Sequence, residues 1–419
     1  MRLPFTGSFW RQLGDLLLSS TTREGKTFAV AIVMAASISS ASLDIPAFHL
    51  LSALCALVLV AYAAGMLRKP RLRVRGELAA RAVAGEAVAM EFTLENTMRR
   101  AAFDVSAGFL KLPVEVRVAT EAALVPVLEP GERTTVAVTL TTARRGLYEL
   151  PDVRAFSTFP LNLCRFRAPR NADRPRARPL IVYPHFHPLS AIDVPVSARY
   201  QPGGIALSSN VGESPEYIGN RPYRAGDSTR HLDFRAWARL AQPVVREYQE
   251  EYYCRLALVL DTYVPGKKKP PREGFPNLEA AVSMSAAIAD ALGRGEYVID
   301  IFAAGPKLHV FRAGRHTAHF ENVLEILAGV DACRSNPFEE VTPALTDELA
   351  NISTVICVLL DWDEAREGLV RAAIDCGCAV KVILVRDEEP TMPLAHLSDT
   401  CDIARYTSAA VSRGEVDAL

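Results

Sequence analysis

The sequence predicts three architectures in order along the chain: an N-terminal transmembrane helical hairpin, a β-sandwich-like domain, and a doubly wound α/β domain. Three observations predict them. Residues 27–67 contain no Lys, Arg or Glu, and Asp44 is their sole acid. Residues 70–165 alternate apolar and polar side chains in short stretches broken by Gly, Pro and Asn, the period-two pattern of half-buried strands. From residue 255, continuous apolar runs alternate with segments of helical spacing. That pattern belongs to a largely parallel sheet covered on both faces.

The apolar run divides at Asp44-Ile45-Pro46. Each half is about 20 residues, enough to cross roughly 30 Å of hydrocarbon as a helix. The first half is rich in Ser and Ala, which suits close packing against the second. Arg23 and Lys26 precede the run, and Arg68, Lys69, Arg71, Arg73 and Arg75 follow it. Positive residues stay on the cytoplasmic side. The expectation is therefore a multi-pass protein of the inner (cytoplasmic) membrane. Residues 1–26 and everything after the hairpin would face the cytoplasm, both termini included. A cleaved signal peptide fits less well, because a second apolar span follows at once. The formal net charge of −1 gives no ground for a nucleic-acid partner. The eight cysteines are scattered, and Cys376 and Cys378 are spaced C-G-C, not the C-x-x-C of a zinc or redox site.

The β domain, 70–165, lacks the cysteine pair of an antibody domain, so it is immunoglobulin-like in architecture only. Residues 166–254 form an Arg-rich connector and a distinctive segment. Arg165–Arg178 holds six arginines. It reads as a solvated connector kept extended by proline, in preference to a strip for anionic lipid head groups or nucleic acid. His185 and His187 would share a face if they lay on a strand, but no third ligand completes a metal set.

Gly219–Leu240 carries five arginines, Asp227, Asp233 and His231 among Tyr223, Phe234 and Trp237. Arginine beside aspartate holds the carboxylate ionised, which makes a poor general acid or base. His231 has no nucleophile partner by motif, and no catalytic residue is expected. The residues suit a brace. Arg221, Arg230 and Arg239 would pair with Asp227, Asp233, Glu247 or Glu250. Gly226-Asp227-Ser228-Thr229 would turn into a helix N-cap. Phe234 and Trp237 would bury against the α/β domain.

The α/β domain is expected at 255–390, with a C-terminal tail at 391–419. Asp261, Asp361 and Asp363 fall at the ends of its apolar runs, where open α/β sheets bind ligands.

This order of parts, with R-x-Y-x-x-G-D-x-x-R at 221–230, resembles the bacterial family called domain of unknown function 58. Arg221, Tyr223, Gly226, Asp227, Arg230, Asp233, Trp237, Ala238, Arg239, Val245, Arg246, Glu247 and Glu250 carry the resemblance, with Arg145, Gly146 and Tyr148 upstream. The family's Asp-Pro-x-Gly-Leu turn is altered here to Phe159-Pro160-Leu161-Asn162-Leu163. The resemblance implies a von Willebrand factor A-like C-terminal domain and a protein partner, members often being encoded beside MoxR-type AAA+ ATPases. It further implies a divalent metal held by D-x-S-x-S, a threonine and another aspartate. Here Asp261-Thr262-Tyr263-Val264-Pro265 keeps the first aspartate and loses both serines. Thr262, Asp361 and Asp363 would have to complete the set, so the site reads as degenerate. No cofactor is expected, Mg²⁺ being the ion such a site would take. Lys267, Lys268, Lys269 and Arg272 follow; they suit an acidic partner surface or phosphate, or form a solvated loop.

The functional expectation is a membrane-anchored, cytoplasm-facing, non-enzymatic interaction or scaffold protein that docks a partner on its α/β domain. The alternative is a metal-dependent hydrolase or phosphate-handling enzyme using Asp261, Asp361 and Asp363.

Overall fold

The computed structural model describes residues 21–41, 45–171, 173–195, 217–224, 227, 229–248, 255–266, 270–294, 298–304, 308–312, 320–349, 352–394 and 401–419. The chain divides into two compact units, Met1–His185 with Pro270–Gly274 and Phe186–Lys269 with Phe275–Leu419.

The first described helices of the first unit are α1 (Arg23–Ala41) and α2 (Ile45–Leu67), which touch each other. Among the described residues, Phe48–Leu67 is the one stretch long and apolar enough to cross a membrane, with 20 residues at mean hydropathy 2.3. Arg23, Glu24 and Lys26 occupy the start of α1. They leave Thr27–Ala41 as its apolar part, roughly 22 Å of helix, which is short for a bilayer core. Val30, Val33, Met34 and Ile38 of α1 and Leu59, Val60 and Leu67 of α2 are all exposed, and such surface is unfavourable in water. Gly65 lets α2 approach the rest of the unit, since a Cβ there would overlap the Phe166 ring. Tyr62 packs on that ring at 5.7 Å between centroids.

The strands that follow are β1 (Leu72–Gly76), β2 (Arg81–Val83), β3 (Ala87–Asn96), β4 (Ala102–Phe109), β5 (Val116–Thr120), β6 (Val125–Leu128), β7 (Arg133–Thr142), β8 (Gly146–Leu150), β9 (Val153–Ser157), β10 (Phe166–Arg167) and β11 (Arg178–Tyr183). They form four-stranded antiparallel sheets β1-β3-β7-β5 and β10-β9-β4-β6 and a three-stranded sheet β2-β11-β8. Strands β3 and β7 pair with Phe92 opposite Val136 and Met90 opposite Val138. Those inward residues join Leu94, Val105, Leu128, Val153 and Leu180 in one buried cluster, as alternation demands. Tyr148 donates its hydroxyl to the carbonyls of Arg144 (3.0 Å) and Arg145 (3.1 Å), closing the corner before β8.

The arginine strip differs from the solvated connector expected of it. Arg174 pairs with Asp152 at 3.0 Å. The Arg165 guanidinium pairs with Glu121 at 3.3 Å and lies 5.1 Å from the Phe156 ring centre. The strip's end, β11, pairs with β8 and β2. Charge density alone does not reveal this, because each partner is distant in sequence. His185 and His187 lie past the end of β11 at Tyr183, so they share no strand face.

The second unit opens with β12 (Tyr217–Pro222), a 3₁₀ turn (Thr229–His231), helix α3 (Phe234–Leu240) and β13 (Val244–Tyr248), which pairs antiparallel with β12. The remaining elements are β14 (Arg255–Leu260), α4 (Pro276–Gly293), β15 (Val298–Ala304), β16 (Leu308–Arg312), α5 (Phe320–Gly329), α6 (Phe338–Glu348), β17 (Thr354–Leu359), α7 (Glu364–Asp375), β18 (Ala379–Val385), β19 (Asp402–Tyr406) and α8 (Ser408–Ser412). The sheet order is β16-β15-β14-β17-β18-β19. Its last five strands are parallel and β16 runs antiparallel at the edge. Every residue of β17 is buried, so both faces are covered. Helices α6 and α7 share one buried cluster with Val259, Cys357 and Val382. Helix α4 runs against β14, β15, β17 and β18 and touches α5 and α8. The sheet continues past residue 390 into β19, so the segment 391–419 is part of the α/β unit and not a tail.

Candidate functional site at the carboxyl end of the parallel sheet

Strands β14 and β17 are neighbours and end at Leu260 and Leu359. They deliver Asp261 and Asp361 just beyond the sheet. The Asp261 side chain is fully buried. Its Oδ1 accepts from the Tyr263 N–H at 2.8 Å, and its Oδ2 accepts from the Leu360 N–H at 2.9 Å and from Arg366 Nε at 2.7 Å. Burial pushes the Asp261 carboxyl above the usual range, against the pull of Arg366 and the two backbone donors.

Arg366 is the centre of the site. It lies in the first turn of α7, where the helix dipole disfavours a cation. Asp363 offsets this as the N-cap. Its Oδ1 accepts from the Arg366 N–H at 3.0 Å and its Oδ2 forms a close ion pair with Nη1. Nη2 donates to the Tyr263 carbonyl at 3.3 Å. The guanidinium carbon is 5.4 Å from the Tyr263 ring centre and 5.2 Å from that of Phe338, within cation–π range. The Arg366 side chain is 1% exposed. Burial lowers its proton affinity, and the fields of Asp261 and Asp363 more than restore it.

Asp361 belongs to a second, shallower cluster. Its Oδ1 accepts from the N–H groups of Trp362 (2.7 Å) and Thr391 (2.9 Å). Its Oδ2 accepts from the Thr391 hydroxyl at 2.7 Å and pairs with Arg386 at 2.7 Å. Burial raises its pKa, and the Thr391 hydrogen bonds with the other donors carry it below the ordinary value.

These donors do not fit Mg²⁺, the ion that the family resemblance implies. Such an ion needs about six oxygens in octahedral array. Asp261 and Asp363 both turn to Arg366, Asp361 turns to Arg386 and Thr391, and Tyr263 offers Arg366 its carbonyl. The place between Asp261 and Asp363 is filled by a cation from the chain itself. Among the described residues, no group of three or more His, Cys, Asp or Glu converges on a point. Thr262 is fully buried, and its hydroxyl has no hydrogen-bond partner among the described residues.

In the 217–248 segment the expected pair of Arg221 with Asp227 forms, and Asp233 takes Arg246, a partner the sequence does not suggest. Arg221 holds Asp227 with two hydrogen bonds, Nη1 to Oδ2 at 2.7 Å and Nη2 to Oδ1 at 2.9 Å. The Arg224 N–H also donates to Oδ2, at 2.8 Å. Asp233 caps α3 by accepting from the N–H groups of Arg235 and Ala236, both at 3.0 Å. Its other oxygen pairs with Arg246 at 3.2 Å, not with Arg230 or Arg239. Arg230 sits in the 3₁₀ turn and Arg239 in the last turn of α3, both exposed. Asp227 is held at about 2, first by the Arg221 hydrogen bond. Asp233 is likewise held at about 2, first by the Ala236 N–H. The aromatic expectation is corrected. Phe234 is 68% exposed and stacks on half-buried Trp237 at 6.1 Å, and Tyr223 is exposed too. A seven-residue helix has too little surface to bury both a core-facing stripe and two large rings. Arg272 donates its Nε to the Val114 carbonyl at 2.6 Å. Gly226, Ser228, Glu250, the Glu247 side chain and Lys267–Lys269 lie outside the described residues.

Sequence reasoning missed Arg366, Arg386 and Trp362. One signal for Arg366 was present: a cation three residues after an N-cap aspartate, where acids are favoured. Such a cation needs a carboxylate partner.

No protein-family model matches the chain, and no curated protein does. Several solved structures resemble parts of it. The CARDB domain of a Pyrococcus furiosus protein is 13% identical over 27% of this chain and 94% of its own, at a TM-score of 0.19. The Vibrio cholerae VesB protease is 16% identical over 29% of this chain and 35% of its own, at 0.18. The RO (RSR) protein of Deinococcus radiodurans is 16% identical over 39% of this chain and 35% of its own, at 0.23. At such scores these partial likenesses carry no argument about fold or function.

Proposed function

We propose that this chain is a membrane-anchored, cytoplasm-facing interaction protein without catalytic machinery of its own. In this reading it belongs with the domain of unknown function 58 proteins, and its α/β unit is a von Willebrand factor A-like domain. That unit docks a protein partner beyond the carboxyl ends of its strands, a MoxR-type AAA+ ATPase being the kind that the resemblance implies. Helices α1 and α2 form a hairpin in the inner membrane, with both termini cytoplasmic. The apolar surface of α2 and the exposed apolar residues of α1 support the anchor.

The observation that carries the reading is the buried ion pair of Arg366 with Asp261 and Asp363. A fixed internal cation neutralises the strand-end carboxylates, so the unit needs no metal to hold its docking face in shape. A hydrolase would need two carboxylates free to share a cation, and Asp261 and Asp361 face Arg366 and Arg386 instead.

The test uses the full chain in detergent. Calorimetric titration with Mg²⁺ should give no heat that depends on Asp261. Binding to a purified MoxR-type ATPase should weaken when Lys267, Lys268 and Lys269 become Gln. Unchanged binding would sink this docking face, and Mg²⁺ heat abolished by Asp261→Asn would restore the hydrolase.

A further inference from the structure

The end of α2 meets the β3–β4 loop around a recess of about 670 Å³, lined by Met66, Leu67, Lys69, Arg71, Arg99 and Arg100 together with Thr97, Met98 and two prolines. That volume lies within the roughly 300–1,000 Å³ of small-molecule sites. No acidic residue lines it. We propose that this recess binds the head group of an anionic phospholipid, its phosphate held by Lys69, Arg71, Arg99 and Arg100 and its acyl chains running along α2. The proposal rests on the membrane-anchor part of the functional reading.

The loop is built, not draped. Asn96, 1% exposed, donates to the carbonyls of Arg100 (2.9 Å) and Leu128 (2.8 Å) and accepts from the Met98 N–H at 3.0 Å. The Thr97 hydroxyl and N–H donate to the Arg71 carbonyl at 2.7 and 3.2 Å. Arg100 Nη2 donates to the Leu67 carbonyl at 3.0 Å, near the end of α2. These bonds fix two separate basic segments around one space. Each of the four cations is exposed, and none is in an ion pair with a described residue. Their neighbours differ: Arg73 and Arg75 reach Asp173, and Arg133 reaches Glu95. Four like charges held around one recess repel one another, and a bound phosphate removes that cost.

Position selects lipid over free phosphate. The recess begins where the apolar stretch Phe48–Leu67 ends. Met66 and Leu67 line it and are exposed, Leu67 by 77%. An apolar rim against a basic floor matches a molecule that carries both an acyl chain and a phosphodiester.

The test uses the full chain. Flotation with phosphatidylcholine vesicles reads membrane insertion. Native mass spectrometry from detergent, with equimolar phosphatidylglycerol and phosphatidylcholine, reads lipid choice. The wild type should retain phosphatidylglycerol in clear excess. The double variant Arg71→Gln, Arg99→Gln should lose that excess by about fivefold per charge removed. Arg23→Gln with Lys26→Gln, which removes two charges outside the recess, should leave it within about twofold. An equal loss in both variants means diffuse attraction and overturns the site. So does equal retention of the two lipids, or glycerol phosphate competing as well as the lipid. A chain that floats but shows no lipid preference keeps its anchor and loses only this site. A chain that does not float loses both.

Discussion

Two regions of the second unit use the same chemistry under opposite conditions. At the sheet end, Arg366 meets Asp261 with side-chain exposures of 1% and 0%. In the 217–248 segment, Arg221 meets Asp227 at the same 2.7 Å, with exposures of 34% and 19%. The difference lies in solvent. Water reaches the half-buried pair and can hydrate either partner alone, so the pair orders a loop and adds less stability than a sequestered one. The buried pair has no such refuge. Its worth appears when one member is removed and the other is stranded.

The largest effect should therefore come from Arg366→Ala. It leaves the Asp261 carboxylate buried among apolar strands and should cost about 3–5 kcal/mol. Urea unfolding reads it through the fluorescence of Trp362, itself 1% exposed, in a chain whose Trp10 and Trp237 are replaced by Phe. Adding Asp261→Asn should recover much of the loss, because the uncompensated charge goes with it. A loss below 1 kcal/mol would mean that water reaches the pair, and the contrast between the two regions would collapse.

Asp361 tests the intermediate case. It is 15% exposed and Arg386 18%. Asp361→Asn keeps one acceptor and loses the charge facing Arg386 and Thr391. The expected cost is roughly 1.5–3 kcal/mol, the range for hydrogen bonds to charged groups. Because the backbone N–H of Trp362 binds the same carboxylate, amide exchange at Trp362 should accelerate as well. A cost equal to that of Arg366→Ala would show that the two clusters act as one.

What the sequence disclosed follows from the same physics. The strands β14, β17 and β18 were legible because burial on both faces demands unbroken apolar runs, and β3 and β7 because burial on one face demands alternation. Asp261 was legible as the first polar residue after such a run. Arg366 was harder to read: its place three residues after an N-cap aspartate was the one local signal, and its buried partner Asp261 lies 105 residues away. Strand β19 escaped for a different reason. It is an edge strand with no fully buried residue, so "DIARY" has no apolar run to announce it. The exposed Phe234 shows the converse, since aromatic character does not by itself mean burial.

The exposed segment should respond locally. Asp233→Ala removes the cap of α3 and one partner of Arg246. Amide exchange at Arg235 and Ala236 should accelerate by about fivefold, the effect of losing a typical N-cap, while the global urea midpoint stays put. A drop in the global midpoint would show that this segment is energetically part of the α/β core.

The smallest effect is its pH dependence, which has a definite sign. Asp227 and Asp233 are both held at about 2 in the folded chain, whereas an unfolded aspartate titrates near 3.9. Between those values the unfolded state binds more protons. The stabilisation they give is therefore complete above pH 4 and is lost as pH falls towards 2. Protection of the α3 amides should fade across that window, and Asp227→Asn with Asp233→Asn should flatten the profile. Arg366 stays charged throughout, so a matching loss at the sheet end would report protonation of Asp261. If both regions melt together in acid, the exposed brace is coupled to the buried one. If the segment loosens first, the two are separate uses of one interaction, and solvent alone sets their strengths apart.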